Sequence, residues 1–105
     1  MNKIYNIVQQ DNLQVVNVSS LFNELENRKI LDEVSNLIEQ GSRNFRVDLS
    51  SLPFLNSVGL NCLLSIQHKS MKVGGSFSLQ GISPQVLKLL EITKLKSFFS
   101  IVATA

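Results

Sequence analysis

The sequence predicts an α/β fold: a mixed β-sheet with helices packed mainly on one face, in the order β-β-α-β-α-β-α-β. Three observations predict it. Two short β-branched segments stand side by side near the start, three later segments carry apolar residues at helical spacing behind capping residues, and short alternating segments separate those helices.

Residues 4–8 (Ile-Tyr-Asn-Ile-Val) and 13–18 (Leu-Gln-Val-Val-Asn-Val) flank the turn formers of Gln9 to Asn12 and predict an antiparallel hairpin. Asn23 then offers a side-chain acceptor to free helix N–H groups, and Glu26, three residues on, is placed to reach back toward it. Behind that cap, Ile30, Leu31, Val34, Leu37 and Ile38 form one apolar stripe, and Gly41 stands where a left-handed residue ends a helix.

Phe45, Val47 and Leu49 alternate with Arg46 and Asp48, which predicts a strand, and Pro53 breaks regular pairing after it. A second helix is predicted to start at Asn56 or Ser57, to run through Leu60, Leu63, Leu64 and Ile66, and to stop at Gly74-Gly75. Ser76 to Gln80 alternates around Phe77 and Leu79. Ser83-Pro84 sets a capping hydroxyl before a proline at the first helical position, predicting a third helix over 84–92, with a last strand over Ser97 to Val102. Strand, helix and strand repeated from residue 45 imply parallel pairing through right-handed crossovers.

A chain of 105 residues has the length of one domain, so residues 1–105 are read as a single unit. Apolar residues at 44% and charged residues at 17% fit a packed core and not a disordered segment. No apolar run approaches the roughly 20 residues of a membrane span, and the start lacks a secretory pattern, so a cytoplasmic protein without direct membrane insertion is expected. Charge is uneven: residues 1–50 hold five basic and seven acidic side chains, residues 51–105 five lysines and one glutamate. Those lysines are spaced singly, without arginine or interleaved aromatics, which argues against nucleic-acid binding.

The chemistry of an enzyme is missing from the pattern. His68, the only histidine, lies mid-helix among Gln67, Lys69 and Ser70 and is read as solvated; the single Cys62 is read as an apolar filler and cannot form an internal disulfide. No phosphate-cradling glycine loop, HExxH or GxSxG motif is present, so no catalytic residue, metal or cofactor is assigned. What stands out is Val47 to Leu64, VDLSSLPFLNSVGLNCLL, where a strand ends and a serine meets the start of an apolar helix. Unpaired N–H groups and the helix dipole at such a place favour negative charge, so a phosphate on Ser57 is accommodated there; the plainer reading is that Asn56 or Ser57 only caps the helix.

This segment resembles the signature of STAS domains, in which an aspartate-leucine strand end is followed by an apolar turn and Asp-Ser-(Ser or Thr)-Gly-Leu. Gly74-Gly75, Gly81-Ile82-Ser83-Pro84, and Leu89-Leu90 through Thr93 and Leu95 fall in order after it, so the resemblance covers nearly the whole chain. It implies a STAS-like sheet and a non-catalytic protein-binding module of the anti-sigma factor antagonist type. Its partner would be a kinase-type anti-sigma factor that phosphorylates the serine corresponding to Ser57. The partner-binding surface it implies comprises Asn23, Asn56, Ser57, Val58, Gly59 and Asn61. An alternative is a STAS subunit of a lipid-transporter complex or a sensory scaffold that docks a partner without any phosphate.

Four positions depart from the pattern. The signature aspartate is Asn56, an aspartate usual at the start of the first helix is Asn23, and the second hydroxyl residue is Val58. Asparagine offers a donor and no charge where the family has a carboxylate. Lys94 stands where a glycine is common, so a left-handed turn there costs roughly 1 kcal/mol.

Overall fold

The structure is a computed structural model that describes residues 4–102. The opening hairpin pairs β1 (Tyr5–Gln10) antiparallel with β2 (Leu13–Val18). The first strand is longer than the sequence predicts. Its turn shrinks to Asp11-Asn12, because Asp11 takes the left-handed φ of 55° that a two-residue connection demands and that aspartate tolerates.

α1 (Glu24–Glu39) starts behind Asn23, whose Oδ1 accepts from the N–H groups of Leu25 at 2.9 Å and Glu26 at 3.1 Å. The reciprocal half of the predicted cap is not made: the Glu26 carboxylate turns to Lys29 at 3.2 Å instead. At the other end, Gly41 at φ 109° lets its N–H reach Ile38 O at 3.0 Å and that of Ser42 reach Leu37 O at 2.9 Å, the paired bonds of a glycine helix stop.

β3 (Asn44–Asp48), α2 (Ser57–Lys72), β4 (Ser76–Gln80) and α3 (Pro84–Ile92) follow the predicted order. Ser83 caps α3 through Val86 N–H, with Pro84 at its first position. Gly75 is required by space: a Cβ there would lie 1.6 Å from Arg43 O, which brings the entry to β4 tight against the entry to β3. The predicted last strand is mostly replaced. Lys96–Phe98 winds into a short 3-10 turn, with Phe98 N–H bonded to Leu95 O at 3.0 Å, and β5 is only Ser100–Ile101.

The sheet order is β1-β2-β3-β4-β5, antiparallel in the first pair and parallel in the rest. One face carries Val16, Phe45, Val47, Phe77 and Leu79, packed in a single core with Ile30 and Val34 of α1, Leu63 and Ile66 of α2, and Val86 and Leu90 of α3. Each such side chain contributes about 1.5–3 kcal/mol when fully buried. The opposite face carries Val8 and Val15 but is otherwise mostly polar, tied across strands by Asn17 to Asn6, Arg46 to Ser78, Ser76 to Asn44 and Gln80 to Asp48. The helices therefore lie on one face, as the sequence predicts.

That arrangement puts the carboxyl ends of β2 and β3, and the starts of α1 and α2 that follow them, at one end of the molecule.

Candidate functional site

The candidate site is built where β3 runs into α2. β3 ends on Asp48, whose Oδ1 accepts from Ser50 N–H at 2.8 Å and Ser50 Oγ at 2.5 Å, while Oδ2 accepts from Gln80 Nε2 at 2.8 Å. Burial pushes the Asp48 carboxyl up, but the bonds from Ser50 and Gln80 together outweigh it and hold its pKa below the ordinary 3.8. The turn is thus pinned at its base. Leu49 and Leu52 are buried, anchoring a loop whose tip carries exposed Pro53 and Phe54.

Asn56 is the cap of α2: its Oδ1 accepts from Gly59 N–H at 3.0 Å, and its C=O takes Leu60 N–H at 2.9 Å. Ser57 is therefore the first helical residue, and it is exposed. Of the two starts that the sequence allows, the structure selects Asn56 as cap and leaves the Ser57 hydroxyl facing solvent. No acidic residue stands in the first turn of α2, so the positive end of the helix dipole at Ser57 is uncompensated by a carboxylate of that turn.

Gly59 joins this helix to the neighbouring loop. A Cβ on it would lie 3.1 Å from Leu21 Cβ and 2.5 Å from Leu55 Cδ1, so any larger residue makes Leu55 and the segment entering α1 give way. Leu21 is itself held by Asn27 of α1, whose Nδ2 donates to Leu21 O at 2.8 Å. Val58 and Asn61 then line a shallow groove of about 210 Å³ between α2 and α1, facing Glu24, Asn27, Arg28 and Leu31.

The six predicted residues thus fall into two groups. Val58, Gly59 and Asn61 are brought against α1 or the segment before it. Asn23 and Asn56 each cap their own helix, with Ser57 exposed beside the second cap; no hydrogen bond joins Asn23 to Ser57 among the described residues. The neutral amides at 23 and 56 do the capping that an aspartate would do, without its charge.

Sequence reasoning missed three residues at this end. Phe22 is 46% exposed, Leu25 71% and Phe54 61%, and each neighbours a predicted site residue or the Leu21–Gly59–Leu55 contact. A signal was available for Leu25, which falls off the apolar stripe of α1. Exposed apolar residues grouped at one end mark a protein-docking surface better than a catalytic pocket.

Elsewhere, His68 is exposed and Cys62 is buried, with desolvation pushing the thiol up to about 11, too high for a reactive thiolate. Among the described residues no group of three His, Cys, Asp or Glu side chains could hold a metal ion, and no helix is long and apolar enough to cross a membrane.

Comparison with known proteins identifies the fold and the family. The chain is 27% identical over 103 residues to the anti-sigma-B factor antagonist of Bacillus subtilis, covering 98% of this chain and 94% of that protein. Its fold superposes on TM1081 of Thermotoga maritima with a TM-score of 0.84 at 21% identity, covering 99% of this chain and 82% of that one. It superposes on unphosphorylated SpoIIAA of Bacillus, an anti-sigma factor antagonist, with a TM-score of 0.80 at 18% identity, covering 96% and 88% of the two chains. The STAS domain family model matches residues 5–105, and the chain belongs to that family.

Proposed function

We propose that this protein is a non-catalytic regulatory module that docks a kinase-type anti-sigma factor through the end of the sheet where α1 and α2 begin, and that Ser57 is its phosphoacceptor. The observation that carries the reading is the exposed Ser57 at the first position of α2, with exposed Phe54, Phe22 and Leu25 near it. The apolar side chains supply contact area, and the serine supplies the switch. Phosphate adds about −1.5 to −2 charges and three acceptor oxygens beside the exposed apolar side chains, so an apolar partner loses its fit. The likeness to a curated anti-sigma factor antagonist supports this reading.

A second reading is favoured by Asn23 and Asn56. If a carboxylate at those positions is needed to orient the hydroxyl for transfer, the same surface serves as a permanent dock in a larger assembly such as a scaffold. The stressosome, a signal integration and transduction hub, is among the structural neighbours at a TM-score of 0.69.

Affinity capture from the native host with wild type beside Ser57→Asp, with the captured proteins and the phosphate state of Ser57 both read by mass spectrometry, tests the two. A kinase-type partner held by wild type and lost by Ser57→Asp supports the switch. A scaffold partner indifferent to the change, with Ser57 unmodified, supports the permanent dock.

A further inference from the structure

β1 is the outer strand of the sheet, and it pairs one-to-one with β2 over all of Tyr5–Gln10 without a bulge. Ser19 N–H donates to Ile4 O at 2.8 Å across the same ladder. Because the backbone groups of an antiparallel strand alternate in direction, Asn6, Val8 and Gln10 turn theirs toward β2, and Tyr5, Ile7 and Gln9 turn theirs outward. An edge of this kind is a template for another strand, and sheets usually guard it with charge, proline, a bulge or brevity.

β1 has none of these guards. Its sequence, YNIVQQ, is uncharged and free of proline, and Val8 is 46% exposed on the polar face of the sheet. The opposite edge is guarded: β5 is two residues long and follows Lys94 and Lys96 closely.

We propose that β1 is a dimer interface, at which a second copy of this chain adds its own β1 antiparallel about a two-fold axis through Ile7. Self-complementarity selects a second copy as the occupant. The two-fold sets Ile7 opposite Ile7 of the second copy, and Tyr5 and Gln9 opposite Gln9 and Tyr5, so every outward backbone group finds a partner of the right kind. On the polar face, Asn6 of one copy lies across from Val8 of the other. No like charges meet, because the strand carries none. The two sheets join into one with all helices on the same side, and the two Ser57 ends point away from each other, so a dimer presents two docking surfaces at once.

Sedimentation velocity of the full chain over a concentration series tests this, with Gln9→Pro and Val8→Lys beside wild type and far-UV circular dichroism to check the fold. Proline at 9 removes an outward N–H and the exposed bond from Gln9 Nε2 to Asp11 O, and takes no backbone bond from the β1–β2 ladder. A wild-type dimer whose dissociation constant rises roughly 30-fold in Gln9→Pro, as the loss of one hydrogen bond per copy implies, and also rises in Val8→Lys is the expected result. If Gln9→Pro loses its dichroism signal, Val8→Lys decides alone. A wild type monomeric at every concentration, or a dimer unmoved by a folded Val8→Lys, overturns the proposal.

Discussion

Gly59 lies against Leu21: a Cβ at position 59 would approach Leu21 Cβ to 3.1 Å, so the first turn of α2 and the segment entering α1 are fitted to each other through the missing side chain. Gly59→Ala gains about 1 kcal/mol of helix propensity but overpacks this contact at a cost of about 1–3 kcal/mol. The expected outcome is a net loss of roughly 1 kcal/mol, read as a lower thermal midpoint, together with weaker partner binding because Val58 and Asn61 shift with the helix.

Asn56 accepts from Gly59 N–H, so Asn56→Ala removes a cap and costs about 1 kcal/mol, whereas Asn56→Asp keeps the acceptor and adds a charge that the helix dipole favours. Chemical denaturation is expected to rank the proteins Asp at least equal to Asn and both above Ala. If the carboxylate also assists phosphoryl transfer, phosphate incorporation at Ser57 rises in Asn56→Asp with stability held; an unchanged rate assigns residue 56 to capping alone.

Lys94 adopts φ 61°, a left-handed conformation that a side chain resists. Lys94→Gly removes that strain, and the exposed side chain has little packing to lose. A gain of about 1 kcal/mol is expected from the relieved strain, seen as a higher thermal midpoint with binding unaffected.

Asp48 has a folded pKa below its unfolded one, so the charged form is the one the native turn favours. Its contribution is fully present above the ordinary carboxylate pKa near 3.8 and is lost as pH falls through the lower folded value. Asp48→Asn is expected to be less stable than wild type at neutral pH and to lose less stability on acidification. Parallel denaturation curves at neutral and acid pH check this; equal acid sensitivity in the two proteins contradicts it.

Much of this was legible in the sequence because the signals were local. Asn23, Ser83-Pro84 and Gly41 act on backbone groups within a few residues, so spacing alone places them, and the alternation of Phe45, Val47, Phe77 and Leu79 already assigns one buried sheet face. The Glu26 reach-back failed because Lys29, one turn on, offers an opposite charge in solvent. The last strand is shortened by the 3-10 turn at Lys96–Phe98, after which Phe99 packs with its ring 6.0 Å from Phe77, a contact far apart in sequence. The same reason hid Phe22: its exposure follows from how the segment entering α1 meets Gly59, which is visible only once α1 and α2 are placed.

In the proposed function, the end of the molecule bearing Phe54 and Ser57 docks the partner and charge at Ser57 releases it. Titration calorimetry of the captured kinase-type partner against wild type, Phe54→Ala and Ser57→Asp tests it most directly. Phe54 is exposed, so its loss leaves stability within about 0.5 kcal/mol, and about tenfold or greater weakening is expected for Phe54→Ala, with a still larger loss for Ser57→Asp. Full affinity in both variants would contradict it and move the docking surface elsewhere on the fold.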